Sequence, residues 1–205
     1  MAVVNEAQEH SFVGRGGLKL EHALEAFCLD VSGLRCADLG CSTGGFTDCL
    51  LQRGAAAVIA VDTGYGVLDY RLRTDPRVVV RERTNALHAE PPEPPVALVV
   101  ADLSWTRQER FLPVARRWVG GQETGRILSL VKPHYEIEAA EKPLLEKGIL
   151  PDEVAAQVHE RFLARVEDWG FRLLGSTPSP IRGGGSRRRK GGNLEYLVLL
   201  QPVVS

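Results

Sequence analysis

CADLGCSTGGF, residues 36–46, is the stretch whose reading decides the fold. Residues 36–40 read as a short buried strand ending in a turn, and helical spacing resumes over 46–53. The glycines between let the backbone turn sharply and come close to a ligand. Their spacing, D-x-G-x-x-x-G-G from Asp38 to Gly45, is not the G-x-G-x-x-G of dinucleotide binders. Outward from this turn, AVIAVD (57–62), VVVRE (78–82), VALVVAD (96–102) and RILSLVK (126–132) are Val/Ile/Leu-rich runs without alternation. Such runs suit central parallel strands covered on both faces. LKLEHALEAFC (18–28) places Leu18, Ala23, Leu24 and Phe27 near one face of a helix. Residues 152–169 form a second, longer helix that Gly170 would terminate. FRLLGST (171–177) and LEYLVLL (194–200) are the last strands, with no helix between them, which predicts a direct antiparallel return at the sheet edge. EPPEPP (90–95) is a stiff connector. The expected architecture is a single α/β domain with a mostly parallel seven-stranded sheet, an antiparallel last strand and helices on both faces. Ligands of such sheets bind beyond the carboxyl ends of the strands.

Composition agrees with one domain of this kind. The chain has 205 residues, 44% of them hydrophobic, enough to bury a core without a metal or disulfide staple. No apolar run approaches the length of a membrane span, and MAVVNEAQEH lacks the layout of a signal peptide. A cytoplasmic protein without a membrane partner is expected. The cysteines, Cys28, Cys36, Cys41 and Cys49, do not form the C-x-x-C pairs of zinc sites, so they read as small half-buried thiols with no metal and no disulfide. The net charge of −1 conceals a segregated one. Residues 182–192, RGGGSRRRKGG, hold five cations and no acid, leaving −6 on the remainder. A Gly-rich basic loop of this kind attracts polyanions. Arg15, Arg182, Arg187, Arg188, Arg189 and Lys190 are therefore the candidate contacts to RNA.

The loop after the first strand points to a particular ligand. Twenty-two residues beyond Gly40, Asp62 ends the second strand, where a carboxylate can accept hydrogen bonds from ribose hydroxyls. Asp38, ahead of the first glycine, suits a ligand with an ammonium group. S-adenosylmethionine has an ammonium, an adenosine ribose and no pyrophosphate. Asp38, Gly40, Ser42, Thr43, Gly44, Gly45, Phe46 and Asp62 are thus candidate cofactor contacts. Elsewhere, Asp102 closes one strand, Lys132 closes the next, Glu195 starts the last and Lys19 lies on the opening helix. Charged residues at such apolar strand ends are costly unless paired or employed.

These four positions resemble the Lys-Asp-Lys-Glu tetrad of the FtsJ-like ribose 2′-O-methyltransferases. From about Ser11 onward the chain is more closely similar to the methyltransferase domain of the TlyA, or haemolysin A-like, family. GRGGLKLEHALEAF, ADLGCSTGGFTDCLLQRGA, AVDTGYGVL, RVVVRERTNA, VVADLSW, SLVKPHYE, EKGILPDEV and GGNLEYLVLL carry the likeness. The resemblance implies S-adenosylmethionine-dependent transfer to a ribose 2′-hydroxyl of ribosomal RNA. It implies that Gly44, Phe46, Asp62, Asn85 and Asp102 line the cofactor, and that Lys19, Asp102, Lys132 and Glu195 carry catalysis. Proteins of that family usually begin with a small S4-type RNA-binding domain. Here only residues 1–10 precede the domain expected over 11–205, so the S4 domain is expected to be missing and the basic loop to compensate in part. Replacing Arg187–Lys190 by serine should then weaken RNA binding and flatten its salt dependence.

In this reading Lys132 either takes the proton of the ribose hydroxyl or orients that hydroxyl and stabilises the developing oxyanion. Phe46 flanks the adenosine or fills the core, Tyr135 stacks on a base, Trp118 and Trp169 fill the core, and Trp105 sits at the mouth of the site. His134 is a rim histidine or a phosphate contact. A cofactor-binding RNA module without catalysis, or a methyltransferase acting on another RNA or a small molecule, is the alternative.

Overall fold

The computed structural model describes residues 12–120, 124–184 and 191–203. Within them, β1 (Arg35–Leu39), β2 (Ala57–Val61), β3 (Val78–Arg81), β4 (Leu98–Ala101), β5 (Arg126–Val131), β6 (Phe171–Pro178) and β7 (Tyr196–Pro202) form one sheet in the order 3-2-1-4-5-7-6. β1 to β5 pair in parallel, and β7 runs antiparallel to both of its neighbours. The return strand thus does not take the edge: it slots between β5 and β6. That insertion matters for the site, because it brings the start of β7 beside the end of β5.

The helices are α1 (Gly16–Ala26), α2 (Gly45–Gln52), α3 (Tyr70–Arg73), α4 (Gln108–Trp118), α5 (Pro133–Glu136) and α6 (Asp152–Arg165), with a 3₁₀ turn over Ala139–Leu144. Successive strand residues point to opposite faces, and both faces are apolar. Cys36, Val58, Val100, Leu128 and Leu199 pack with Leu20 and Leu24 of α1 and Leu50 of α2. Ala37, Ile59, Val99, Ile127 and Leu200 pack with Phe111 and Trp118 of α4 and Phe162 of α6. Burial on both faces is the physical reason these strands read as continuous apolar runs.

The sequence reading passed over α4, whose stripe of Phe111, Leu112, Val114, Ala115 and Trp118 is interrupted by Pro113. Pro113 stands on the solvent side, where water can satisfy the carbonyl its missing N–H leaves free. The long helix predicted to reach 169 ends at Arg165, and the chain turns over 166–169 before Gly170, which has φ +79°. Cys36, Cys41 and Cys49 are buried, whereas Cys28 is exposed. No helix among the described residues is long and apolar enough to cross a membrane.

Candidate active site

The end of β1 and the start of α2 build the floor of the site. Gly44 precedes α2 with φ +100°, a conformation that glycine adopts without strain. Gly45 allows the Gly16–Gly17 and Gly44–Gly45 pairs to meet: a β-carbon there would lie 2.8 Å from Gly17 N and 3.0 Å from Gly14 O. α1 and α2 therefore start against each other, and Phe46 packs over Gly16. Beside them lies a cavity of about 210 Å³ lined by Asp38, Thr43, Gly45, Phe46, Asp102 and Lys132.

Asp38 is fully buried. Its Oδ2 accepts hydrogen bonds from Thr47 N (3.0 Å) and Thr47 Oγ1 (2.7 Å), while Oδ1 has no partner. Burial pushes its pKa up to about 7, with the charges of Asp102 and Asp62 adding to the rise and the Thr47 hydrogen bonds opposing it. A lone carboxylate oxygen in the wall of a cavity is a ready seat for a cation.

A second cavity of about 340 Å³ shares Gly40, Ser42, Asp102 and Ser104 with the first and extends over the ends of β2 and β3. Asp62 stands in its wall just beyond β2. Its Oδ2 accepts from Ser42 N (2.8 Å) and its Oδ1 from Gly64 N (2.7 Å), so the carboxylate is fixed by backbone donors. Asn85 lines the far side and accepts from Leu87 N at 2.9 Å. The two lobes together match an amino-acid end and a nucleoside end joined at Asp102 and Ser104.

The tetrad residues fall into two ion pairs. Lys132 Nζ lies 2.5 Å from Asp102 Oδ1, a charge contact without hydrogen-bond alignment, with side chains 11% and 26% exposed. Lys19 of α1 and Glu195, one residue ahead of β7, form a direct and nearly dry pair, 9% and 3% exposed. The order β4-β5-β7 sets Asp102, Lys132 and Glu195 in a row, and Lys19 donates to Glu195. Asp102 and Lys132, the front pair, line the cavity, while Lys19 and Glu195, the rear pair, are not among its lining residues. The backbone at Gly183 roofs the rear pair so closely that a β-carbon there would fall 1.8 Å from Glu195 Oε1.

At the mouth, Trp105 is 86% exposed with φ +55°. Its ring centroid is 6.2 Å from that of Tyr135, and Tyr135 lies 5.9 Å from Lys132 Nζ. Trp118 is fully buried and Trp169 partly so. His134 is half-buried; burial, with the neighbouring charge of Lys132, lowers its pKa to about 4. It is therefore neutral near pH 7 and does not offer a phosphate a charge. Arg182 forms a bidentate pair with Asp152 (2.8 and 2.6 Å) and donates to Gly192 O (3.1 Å), which fastens the base of the basic loop. Arg15 is exposed just ahead of α1. Arg187, Arg188, Arg189 and Lys190 lie outside the described residues. Sequence reasoning missed Thr63, Thr84, Leu103, Ser104 and Thr106, which line the larger lobe. Their only signal was position, each a few residues beyond a strand end.

The sequence profile of the FtsJ-like methyltransferases matches residues 12–201. The chain belongs to this family. An FtsJ-like methyltransferase uses S-adenosylmethionine, and the chemistry of the two lobes suits such a ligand: the unpartnered Asp38 oxygen can receive a cation, and Asp62 and Asn85 offer polar groups to the second lobe. The chain is 42% identical over 205 residues to the 16S/23S rRNA (cytidine-2′-O)-methyltransferase TlyA of Mycobacterium tuberculosis, spanning 98% of this chain and 72% of that protein. It is 30% identical over 186 residues to the 23S rRNA (cytidine-2′-O)-methyltransferase TlyA of Campylobacter jejuni, spanning 90% and 69%. Among solved structures it is similar to a candidate hemolysin of Streptococcus thermophilus, with TM-score 0.86, 36% identity, and 98% and 70% of the two chains covered.

Proposed function

We propose that this FtsJ-like methyltransferase methylates the ribose 2′-hydroxyl of a ribosomal RNA nucleotide, with cytidine as the target base. The observation that carries the reading is the Asp102–Lys132 pair, seated where the two lobes of the cavity join. The acceptor chemistry printed for the two named relatives supports it.

When bound, S-adenosylmethionine supplies a methyl group already activated on a sulfonium. The chain's own residues bind, orient and stabilise. Asp38 receives the ammonium, and Asp62 accepts from the ribose hydroxyls. Gly40, Ser42, Thr43, Gly44, Gly45 and Phe46 shape the turn between them. Lys132, paired with Asp102, orients the acceptor hydroxyl and offers positive charge to the oxygen as the methyl bond forms, while the hydroxyl proton passes to water. The rear pair of Lys19 and Glu195 sets the electrostatic surroundings of Lys132 from the neighbouring strand. Trp105 and Tyr135 present an aromatic surface to the target base at the mouth.

Tritium transfer from labelled S-adenosylmethionine to ribosomal subunits that lack the modification tests this. The wild-type protein is expected to label RNA, and Lys132→Ala to label none while still binding the cofactor. Equal turnover by the variant would remove Lys132 from the mechanism.

A further inference from the structure

A cavity of about 580 Å³ lies outside the two cofactor lobes and shares no lining residue with them. Two aromatic rings, those of His134 and Tyr135, form one wall, with centroids 4.1 Å apart and planes tilted by 51°. Ile137 and Leu145 supply an apolar floor, and Lys142 stands exposed at the rim. Among the described residues the ammonium of Lys142 has no partner. Arg107 is differently engaged: it donates to the carbonyls of Glu136 (3.0 Å) and Ile137 (2.8 Å) and so fixes the wall. Tyr135 links the cavity to the acceptor site, because its ring lies 6.2 Å from that of Trp105 and also lines this cavity.

From these residues we infer that the cavity seats the nucleotide next to the methylated one in the RNA chain. This rests on the proposed RNA 2′-O-methylation and adds a subsite to it. The flanking base stacks on the His134–Tyr135 wall over the apolar floor, and its phosphate meets Lys142. A neutral His134 suits a stacking role, since it presents a ring and not a charge. Filling the cavity with the neighbouring nucleotide also holds the chain splayed on both sides of Tyr135, which keeps the target ribose over Lys132.

The test replaces Lys142 by the photoreactive residue p-benzoylphenylalanine and irradiates the protein with unmethylated ribosomal subunits and S-adenosylmethionine. Reverse-transcription stops are then compared with the position of the new 2′-O-methyl group. Cross-links at the nucleotide directly beside the methylated one are expected. Methylation with cross-links several nucleotides away, with cross-links to ribosomal protein, or with none overturns the subsite and leaves the proposed function standing. Absence of methylation by the unmodified protein overturns both. A second variant, Ala139→Trp, narrows the cavity and should lower kcat/KM for subunits about tenfold, carried by KM, the loss expected for one stacked base. An unchanged KM would also overturn the subsite.

Discussion

With the cofactor's ammonium on Asp38, as proposed, binding is a proton-linked event. In the free protein its burial raises the pKa to about 7. An ammonium seated at Oδ1 requires the ionised carboxylate, so binding below that pH must expel a proton. With a free-state pKa of about 7, roughly nine-tenths of the protein carries the proton at pH 6, and binding should release about 0.9 proton there. The apparent dissociation constant should rise about fiftyfold from pH 7 to pH 5, a range in which the ligand's own amine stays charged. Titration calorimetry in buffers of different ionisation enthalpy reads both quantities. Asp38→Asn should bind more weakly at pH 7, by about tenfold or more for a lost charge-assisted hydrogen bond, and show a flat profile between pH 7 and 5. The same shift has a sign for the stability of the free protein. Asp38 titrates near 3.8 when unfolded and about 7 when folded, so the native state holds a proton that the unfolded chain has released. Stability therefore falls as pH rises from about 4 to about 7, by on the order of 4 kcal/mol, and Asp38→Asn abolishes that slope. A wild-type affinity that does not change between pH 7 and 5, or a heat independent of buffer, would refute the assignment of the ammonium to Asp38.

The remaining expectations concern the pairs and the mouth. Removing one partner of the dry Lys19–Glu195 pair, as in Glu195→Leu, should destabilise the protein by about 3–5 kcal/mol in urea titrations, whereas Lys19→Met with Glu195→Leu should recover most of that stability but not activity. Full activity in the double variant would show that the rear pair serves the fold alone. Gly183→Ala should lower kcat more than cofactor affinity, because its methyl group displaces the Glu195 carboxylate; wild-type kinetics would mean that the roof over Glu195 yields freely. Trp105→Ala should raise KM for subunits by about tenfold and leave cofactor affinity intact, consistent with an exposed stacking ring at 86% accessibility. An unaltered KM would place the base elsewhere.

The central sheet was legible because its strands are buried on both faces, so AVIAVD and RILSLVK contain almost nothing but apolar residues up to the charged residue that ends each. The Asp38–Phe46 turn was legible for a different reason: glycines at such spacing after a strand have few structural uses, and a β-carbon on Gly45 would lie only 3.0 Å from the Gly14 carbonyl oxygen. Helix α4 was not, since Pro113 and three arginines mask a stripe that only tertiary packing on Trp118 reveals. Nor did the sequence divide the four charged residues into a front pair that lines the cavity and a rear pair that does not. That division depends on β7 slotting between β5 and β6, a long-range pairing that no local pattern encodes. Arg182 could be counted as a cation but not as the partner of Asp152, thirty residues away in the chain. Ser104 and Thr106 have no distinguishing chemistry, and only the fold brings them to the cavity.

The most direct measurement is the chemical position of the transferred methyl group. Ribosomal RNA labelled by the protein can be digested to nucleosides and fragmented by mass spectrometry, which separates ribose-methylated from base-methylated products. The account predicts a single labelled nucleoside, cytidine carrying its methyl on the ribose, and none with Lys132→Ala. A methyl found on the base, or labelling that persists undiminished without Lys132, would contradict it.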